Sequence, residues 1–95
     1  MWPWETPPSS VAHGILDDET YDWLAIVEGM LRTGGHPVFA SEDTLATANR
    51  IVRDATGIDA CVTGTSGLSG LMDALPADAR LRHERVAVII SGHRR

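Results

Sequence analysis

Residues 63–71 carry the side chains best suited to hold an anion. The run reads TGTSGLSGL, with glycine at every third position from Gly64 and hydroxyl groups between the glycines. Thr65 and Ser66 stand where the first turn of a helix leaves backbone N–H groups unpaired. Such a helix start suits a phosphate or a carboxylate, whereas the structural alternative is a Gly/Ser helix cap packed closely against a strand. The run alone leaves both interpretations open.

Nucleophilic and metal chemistry have weaker support. The single cysteine, Cys61, excludes an internal disulfide, and the four histidines, at positions 13, 36, 83 and 93, show no metal-ligand spacing. A thiol or metal enzyme using Cys61 is therefore a minor alternative to a small buried cysteine, and His13 and His93 are more typical of local hydrogen bonding. All eight basic side chains are arginines, so the sequence has no lysine amine for a Schiff base.

Composition excludes several functional classes. The 95 residues suffice for one small domain, and 43% apolar with 22% charged residues is a globular composition. A net charge of −5 with scattered arginines gives no electrostatic support for nucleic-acid binding. The longest apolar run, residues 86–90, is too short to span a membrane, and the first residues lack signal-peptide features. We therefore expect a cytoplasmic protein without membrane contact.

Apolar spacing and capping residues predict three helices. The first covers about residues 19–33 and stops at Gly34, because glycine favours the left-handed conformation that ends helices. The second is capped by Ser41 and stops at Gly57. The third continues from the glycine run to Pro76. These helices must position the hydroxyl groups of residues 63–71.

Two apolar runs predict strands. Residues 37–40 follow the first helix, and residues 85–90 form an uninterrupted apolar run typical of a strand covered on both faces. Residues 58–63 allow a short extended piece, and residues 78–84 indicate a charged linker. The order predicts an α/β fold, a partial three-layer αβα unit with a short, mainly parallel sheet. Because so few strands cannot cover three amphipathic helices, we expect this sheet to be incomplete without a partner segment.

Four stretches, taken in order, carry a family resemblance. They are residues 5–15 (ETPPSSVAHGI), the helix–strand–helix step through Gly57, residues 64–70 (GTSGLSG) and residues 86–93 (VAVIISGH). Together they resemble the C-terminal part of threonine synthase and, more broadly, the fold-type II pyridoxal-phosphate enzymes. The resemblance covers nearly all of this chain but only the last third or less of such an enzyme.

The resemblance divides the chain into two parts. Residues 1–16 form an extended segment rich in proline and tryptophan, in which three prolines exclude a regular helix. We expect Trp2 and Trp4 to be covered by this chain or by a partner. Residues 17–95 correspond to the C-terminal αβ portion of a pyridoxal-phosphate-enzyme-like domain.

The resemblance also implies three cofactor-binding residues. In the family, the last apolar strand ends with a Ser or Thr whose hydroxyl meets the pyridine nitrogen of the cofactor, and Ser91 stands at that place. Thr65 and Ser66 are the next candidates, since the family places small and hydroxyl residues of this segment near the cofactor ring. Residues 10–14 resemble a further segment near the cofactor. The alternative for Ser91 is that it only ends the strand and begins a turn.

Two functional hypotheses follow. The first is the C-terminal portion of a threonine synthase-like lyase acting on amino acids by elimination or replacement. The family's Schiff-base lysine and phosphate loop lie upstream of the matched part, so no catalytic residue is assigned here. Pyridoxal phosphate would then bind only beside a lysine-bearing N-terminal chain. The second hypothesis is a non-catalytic interaction or oligomerisation module, a remnant that self-associates through strand edges.

Overall fold

The computed structural model describes residues 8–16 and 22–92 of the chain. In this part, regular structure consists of three α-helices and three short 3₁₀ helices. The α-helices are α1 (Trp23–Thr33), α2 (Glu42–Thr56) and α3 (Ser66–Ala74), and the 3₁₀ helices are His13–Ile15, Thr63–Thr65 and Ala79–His83. Helix α2 is the centre of the packing, because both α3 and the 3₁₀ helix Thr63–Thr65 contact it.

Helix α2 confirms the prediction at both ends. The Ser41 hydroxyl accepts the backbone N–H of Thr44 at 3.1 Å, which is the expected N-cap bond. Gly57 ends the helix in the left-handed conformation, with φ of +71°. Gly34 ends α1 in the same way, with φ of +75°. The predicted start of α1 near residue 19 lies outside the described residues.

The core is small. Its buried apolar side chains come from α2 and from two flanking segments, and they are Ala12, Leu45, Ala48, Val52 and Ala60. Many large apolar side chains elsewhere are exposed to solvent, among them Phe39 at 99%, Ile89 at 84% and Leu31 at 80% of their maximal accessible area. Burial of apolar area is the main source of folding free energy. Within the described part of this chain, much apolar area stays exposed and does not contribute to stability.

The predicted α/β fold is wrong, because the described residues form no β-strand and no sheet. Residues 37–40 and 85–90 run without regular structure, and no backbone–backbone hydrogen bond joins either segment to another described residue. A strand needs a neighbouring strand to satisfy its N–H and C=O groups, and these segments have none beside them here. The three-layer αβα unit with a parallel sheet is therefore replaced by a helical arrangement, with Ala60 as a single bridge position.

Helix α1 is also left without packing partners among the described helices. None of its residues is buried, and α1 approaches no other helix in the described ranges. Its predicted apolar side, which includes Leu24 and Leu31, is largely open to solvent. The predicted charged linker at residues 78–84 instead contains the 3₁₀ helix Ala79–His83. No helix in residues 8–16 and 22–92 is long and apolar enough to cross a membrane.

Asp73 of α3 fastens that helix to the start of α2. One carboxylate oxygen accepts the backbone N–H of Ser41 and the other accepts the hydroxyl of Thr44, each at 2.8 Å. The Ser41 bond is the larger cause, and the Thr44 bond the smaller, of a pKa of Asp73 below its ordinary value; burial opposes both. Hydrogen bonds to a carboxylate favour its charged form.

We expect Asp73 to make the fold sensitive to acid. Because the pKa of Asp73 is lower in the folded chain, Asp73 stabilises the fold. Its contribution to the free energy of unfolding is complete above the unfolded pKa of about 3.9 and is lost as pH falls through the folded value. Asp73→Asn should therefore flatten the loss of stability in acid, measured by urea unfolding between neutral pH and about pH 3. Asp43→Asn, which alters an exposed carboxylate of α2, is the control. Identical pH profiles for wild type and Asp73→Asn would contradict this role.

Candidate functional site

Three segments that are distant in sequence meet around one cleft of about 400 Å³. The first segment contributes part of residues 10–14, the second lies just before α3, and the third follows the apolar segment 85–90. The lining residues are Val11, His13, Gly14, Cys61, Val62, Thr63 and Gly92. The resemblance places residues 10–14, the run from Gly64 and Ser91 near a cofactor. The cleft brings the first of these stretches next to the residues that precede Gly64 and to the residue that follows Ser91.

The first wall of the cleft is fixed through Gly14 and Thr63. The backbone N–H of Gly14 donates to the Thr63 hydroxyl oxygen at 2.9 Å. A Cβ atom at Gly14 would lie 3.0 Å from the Thr63 side chain, so the two residues are in close contact. The neighbouring side chain, Ala12, is completely buried. This wall is therefore part of the packed structure rather than a separate tail.

The second wall is fixed by an even closer backbone contact. The N–H of Ser91 donates to the carbonyl of Gly64 at 3.0 Å, and the N–H of Cys61 donates to the carbonyl of Gly92 at 3.2 Å. A Cβ atom at Gly64 would overlap the Ser91 carbonyl group. Gly64 is thus required by close approach of two backbones, while its own φ is not positive.

The remaining glycines of the run serve the same packing. A Cβ atom at Gly67 would lie 3.4 Å from a methyl group of Val88, and one at Gly70 would lie 2.8 Å from a methyl group of Val38. The glycine face of α3 therefore receives both apolar segments that the sequence predicts as strands. The structure thus agrees with the alternative in which the glycine run packs closely against other backbone segments. Those segments are not paired as strands.

Ser91 lies beside the cleft with an exposed side chain. Its backbone N–H is held by Gly64, while its side chain is exposed to solvent. An exposed hydroxyl at this place can meet a ligand atom. Its role towards a cofactor stays a prediction.

The other two predicted cofactor residues turn their hydroxyl groups inward. Thr65 is completely buried, and its hydroxyl lies 3.2 Å from the carbonyl of Val62 and 3.4 Å from that of Cys61. The Ser66 hydroxyl donates to the carbonyl of Thr63 at 2.8 Å. Ser66 lines a different groove, beside Phe39 and the glycine face of α3. Neither hydroxyl lines the cleft next to Ser91.

Asn49 is a structural residue of the site that the sequence reasoning missed. Its side-chain amide is buried, and it donates to the carbonyl of Ala60 at 2.9 Å and to the Thr65 hydroxyl at 3.3 Å. These bonds connect α2 to the segment before α3. The available signal was its position, since Asn49 follows Leu45 and Ala48 on the apolar face of α2. A polar side chain on such a face needs a buried partner.

Cys61 and His13 also belong to the cleft. The half-buried Cys61 sulfur accepts the N–H of Gly64 at 3.3 Å. His13 is exposed at the cleft wall, and His93 lies outside the described residues. Across the described ranges, no group of three or more His, Cys, Asp or Glu side chains could hold a metal ion.

Comparison of the chain with protein-family models, curated proteins and solved structures gives no match. The fold and the site together define a partly exposed helical module that carries one small cleft.

Proposed function

We propose that the chain is the C-terminal portion of a pyridoxal-phosphate-dependent lyase similar to threonine synthase. In this proposal it supplies the Ser91 hydroxyl to the pyridine nitrogen of the cofactor. The observation that supports it most is that Val11, His13 and Gly14 share one cleft with residues 61–63 and with Gly92, the neighbour of Ser91. The resemblance associates residues 10–14 and Ser91 with the cofactor, and residues 61–63 lead directly into its third stretch, residues 64–70.

The residues around the cleft suit one end of the cofactor only. The exposed hydroxyl of Ser91 can donate a hydrogen bond to a ring nitrogen, and such a partner leaves that nitrogen largely unprotonated. The sequence has no lysine, and the described residues of the cleft lining include no arginine. In this proposal another portion of the enzyme, which carries the lysine and the phosphate loop, holds the aldehyde carbon and the phosphate. When bound, the cofactor would withdraw electrons from the substrate carbanion.

The internal bonds of this chain would keep Ser91 in place. Gly64 accepts the Ser91 N–H, while Thr65 and Asn49 hold the segment that carries Gly64 against α2. Thr65 and Ser66 would contact the cofactor directly only after exchanging their present hydrogen bonds. We therefore assign Ser91 the first role and keep Thr65 and Ser66 as secondary candidates.

The exposed apolar side chains support dependence on a second portion. Phe39 and Ile89 project from the two segments that cross α3, and both are almost fully exposed. A portion bearing the Schiff-base lysine, on a separate chain or elsewhere in a longer one, would cover them. The amino-acid substrate would bind only in this assembly. We place the assembled enzyme in the cytoplasm, without membrane or nucleic-acid partners, because this chain has one cysteine and a net charge of −5.

A second candidate function is a non-catalytic module that self-associates. It is favoured by α1, which has no buried residue and exposes Trp23, Leu24 and Leu31. Exposed apolar patches of this kind mark association surfaces. The two candidates differ in the identity of the partner and in cofactor binding.

Reconstitution tests the proposed function. The chain is mixed with a lysine-bearing N-terminal portion of a threonine synthase, and native mass spectrometry and visible absorption are recorded on the complex. We expect a yellow heteromeric complex in which Ser91→Ala changes the absorption spectrum and lowers the elimination rate about tenfold, the effect of one hydrogen bond. Ser9→Ala, at an exposed serine away from the cleft, is the control.

Two outcomes would contradict parts of this proposal. A cofactor-bound complex in which Ser91→Ala changes neither spectrum nor rate would remove the role of Ser91. A well-folded complex that binds no cofactor would overturn the lyase itself. A colourless homo-oligomer of this chain would instead support the self-associating module.

A further inference from the structure

Residues 10–14 are attached to the rest of the chain at two points. At the first, the backbone N–H of Val11 donates to a carboxylate oxygen of Glu42 at 2.9 Å. The Ser10 hydroxyl accepts the N–H of Ala12 at 3.1 Å, and the Ser10 side chain also lowers the pKa of Glu42. At the second point, Gly14 donates to the Thr63 hydroxyl.

The cleft wall lies between these two attachments. Val11, His13 and Gly14 line the cleft together with Gly92, and the Val11 N–H is bonded to the first turn of α2 through Glu42. Glu42 itself is not part of the cleft lining. Its carboxylate can therefore affect the cleft only by holding residues 10–14 in place.

The Val11 N–H is a backbone donor to an ionised carboxylate. Hydrogen bonds to an ionised acceptor are about twice as strong as neutral ones. The Ser10 side chain and then the Val11 N–H lower the pKa of Glu42, and burial opposes them, so the charged form is the one that these hydrogen bonds stabilise. The adjacent Asp43 occupies the same first turn of α2 but accepts no such bonds.

We propose that Glu42 is a positioning residue that latches residues 10–14 over the cleft and so controls access to it. The latch follows from the contacts of this chain alone. Its consequence for a bound cofactor rests on the proposed function. Loss of the carboxylate would free the Val11 end of the wall, while Gly14 would remain attached to Thr63.

Cys61 provides a direct readout of the latch. It is the single thiol of the chain, it is half-buried, and it lines the cleft opposite the latched wall. Its alkylation by iodoacetamide, a neutral reagent that is insensitive to the charge of Glu42, can be followed by mass spectrometry. We expect Glu42→Ala to raise the alkylation rate about tenfold, as for loss of one strong hydrogen bond.

The variant series separates the latch from a general helix-cap effect. Glu42→Gln keeps a neutral acceptor for the Val11 N–H, so its rate should lie between those of wild type and Glu42→Ala. Asp43→Ala removes the neighbouring first-turn charge and should stay within about twofold of wild type. Equal alkylation rates for wild type and Glu42→Ala, with unchanged circular dichroism, would overturn the proposal.

If Glu42→Ala fails to fold, amide hydrogen exchange in Glu42→Gln tests the latch instead. The Val11 and Ala12 amides should exchange faster in Glu42→Gln than in Asp43→Asn, and equal exchange would overturn the latch. In the reconstituted enzyme, Glu42→Ala should weaken cofactor binding about tenfold, as for one strong hydrogen bond. A raised alkylation rate with unchanged cofactor affinity would keep the latch and count against a cofactor in this cleft. Weakened cofactor binding in Glu42→Ala with an unchanged alkylation rate would overturn the latch and support a cofactor in this cleft.

Discussion

Gly64→Ala is expected to lower the free energy of unfolding by about 3 kcal/mol and to displace the segment that carries Ser91. The added methyl group would overlap the Ser91 carbonyl, which is backbone and cannot move aside as a flexible side chain would. Separation of the two backbones would also break the Ser91–Gly64 and Cys61–Gly92 hydrogen bonds. Overpacking and lost backbone bonds thus act in the same direction.

Gly67→Ala is the matched control on the same face of α3. Its methyl group would lie 3.4 Å from Val88 and 3.6 Å from the carbonyl of Ile89, which are ordinary contact distances. Alanine also favours a helix interior over glycine by about 0.5–1 kcal/mol. Urea unfolding by circular dichroism should therefore show little change or a small gain for Gly67→Ala. Equal losses in the two variants, or an unchanged Ser91 amide exchange rate in Gly64→Ala, would contradict the backbone contact.

The helix ends could be predicted from sequence because their causes are local. The Ser41 hydroxyl reaches an N–H three residues away, and glycine adopts the left-handed conformation at Gly34 and Gly57 with no help from distant residues. The predicted third helix ends near Pro76 for the same reason, since proline cannot continue it. The structure has α3 ending at Ala74.

The strands could not be predicted correctly because pairing is a property of two segments. Residues 85–90 have the apolar composition of a buried strand, yet composition cannot supply the neighbour whose N–H and C=O groups complete a ladder. In the structure both apolar segments lie on the glycine face of α3 as single segments. The expected sheet, incomplete or not, is therefore wrong for the described residues, and only the dependence on a second portion remains part of the proposed function.

The site was predictable to a different degree for each residue. The resemblance puts Ser91 at the end of a strand, whereas in the structure Ser91 follows an unpaired segment and its backbone is bonded to Gly64, so its cofactor role stays a prediction. The inward hydrogen bonds of Thr65 could not be foreseen, because a hydroxyl in a glycine run can face a ligand or a carbonyl equally well. The Glu42 contact joins residues that are 31 positions apart, and no local pattern indicates it.

Leu45→Ala is the second large expected effect, with a loss of about 2–3 kcal/mol in the free energy of unfolding. Leu45 is 4% exposed and is the largest apolar side chain of the core. It also borders the groove formed by Phe39 and Gly70, so removing it would open the cavity towards solvent. We therefore expect a value in the lower half of the usual range for buried leucine.

Leu31→Ala is the control, because Leu31 is 80% exposed and should change the unfolding free energy by less than about 0.5 kcal/mol. Urea unfolding of the isolated chain should thus separate the two leucines clearly, and equal losses would contradict the small core around α2. Both variants can then be titrated with the lysine-bearing portion. If that portion covers α1, Leu31→Ala should weaken the complex while leaving the isolated chain unchanged. Leu45→Ala should instead weaken folding, and partner binding should partly restore it, since a partner that binds only the folded chain stabilises that chain by mass action.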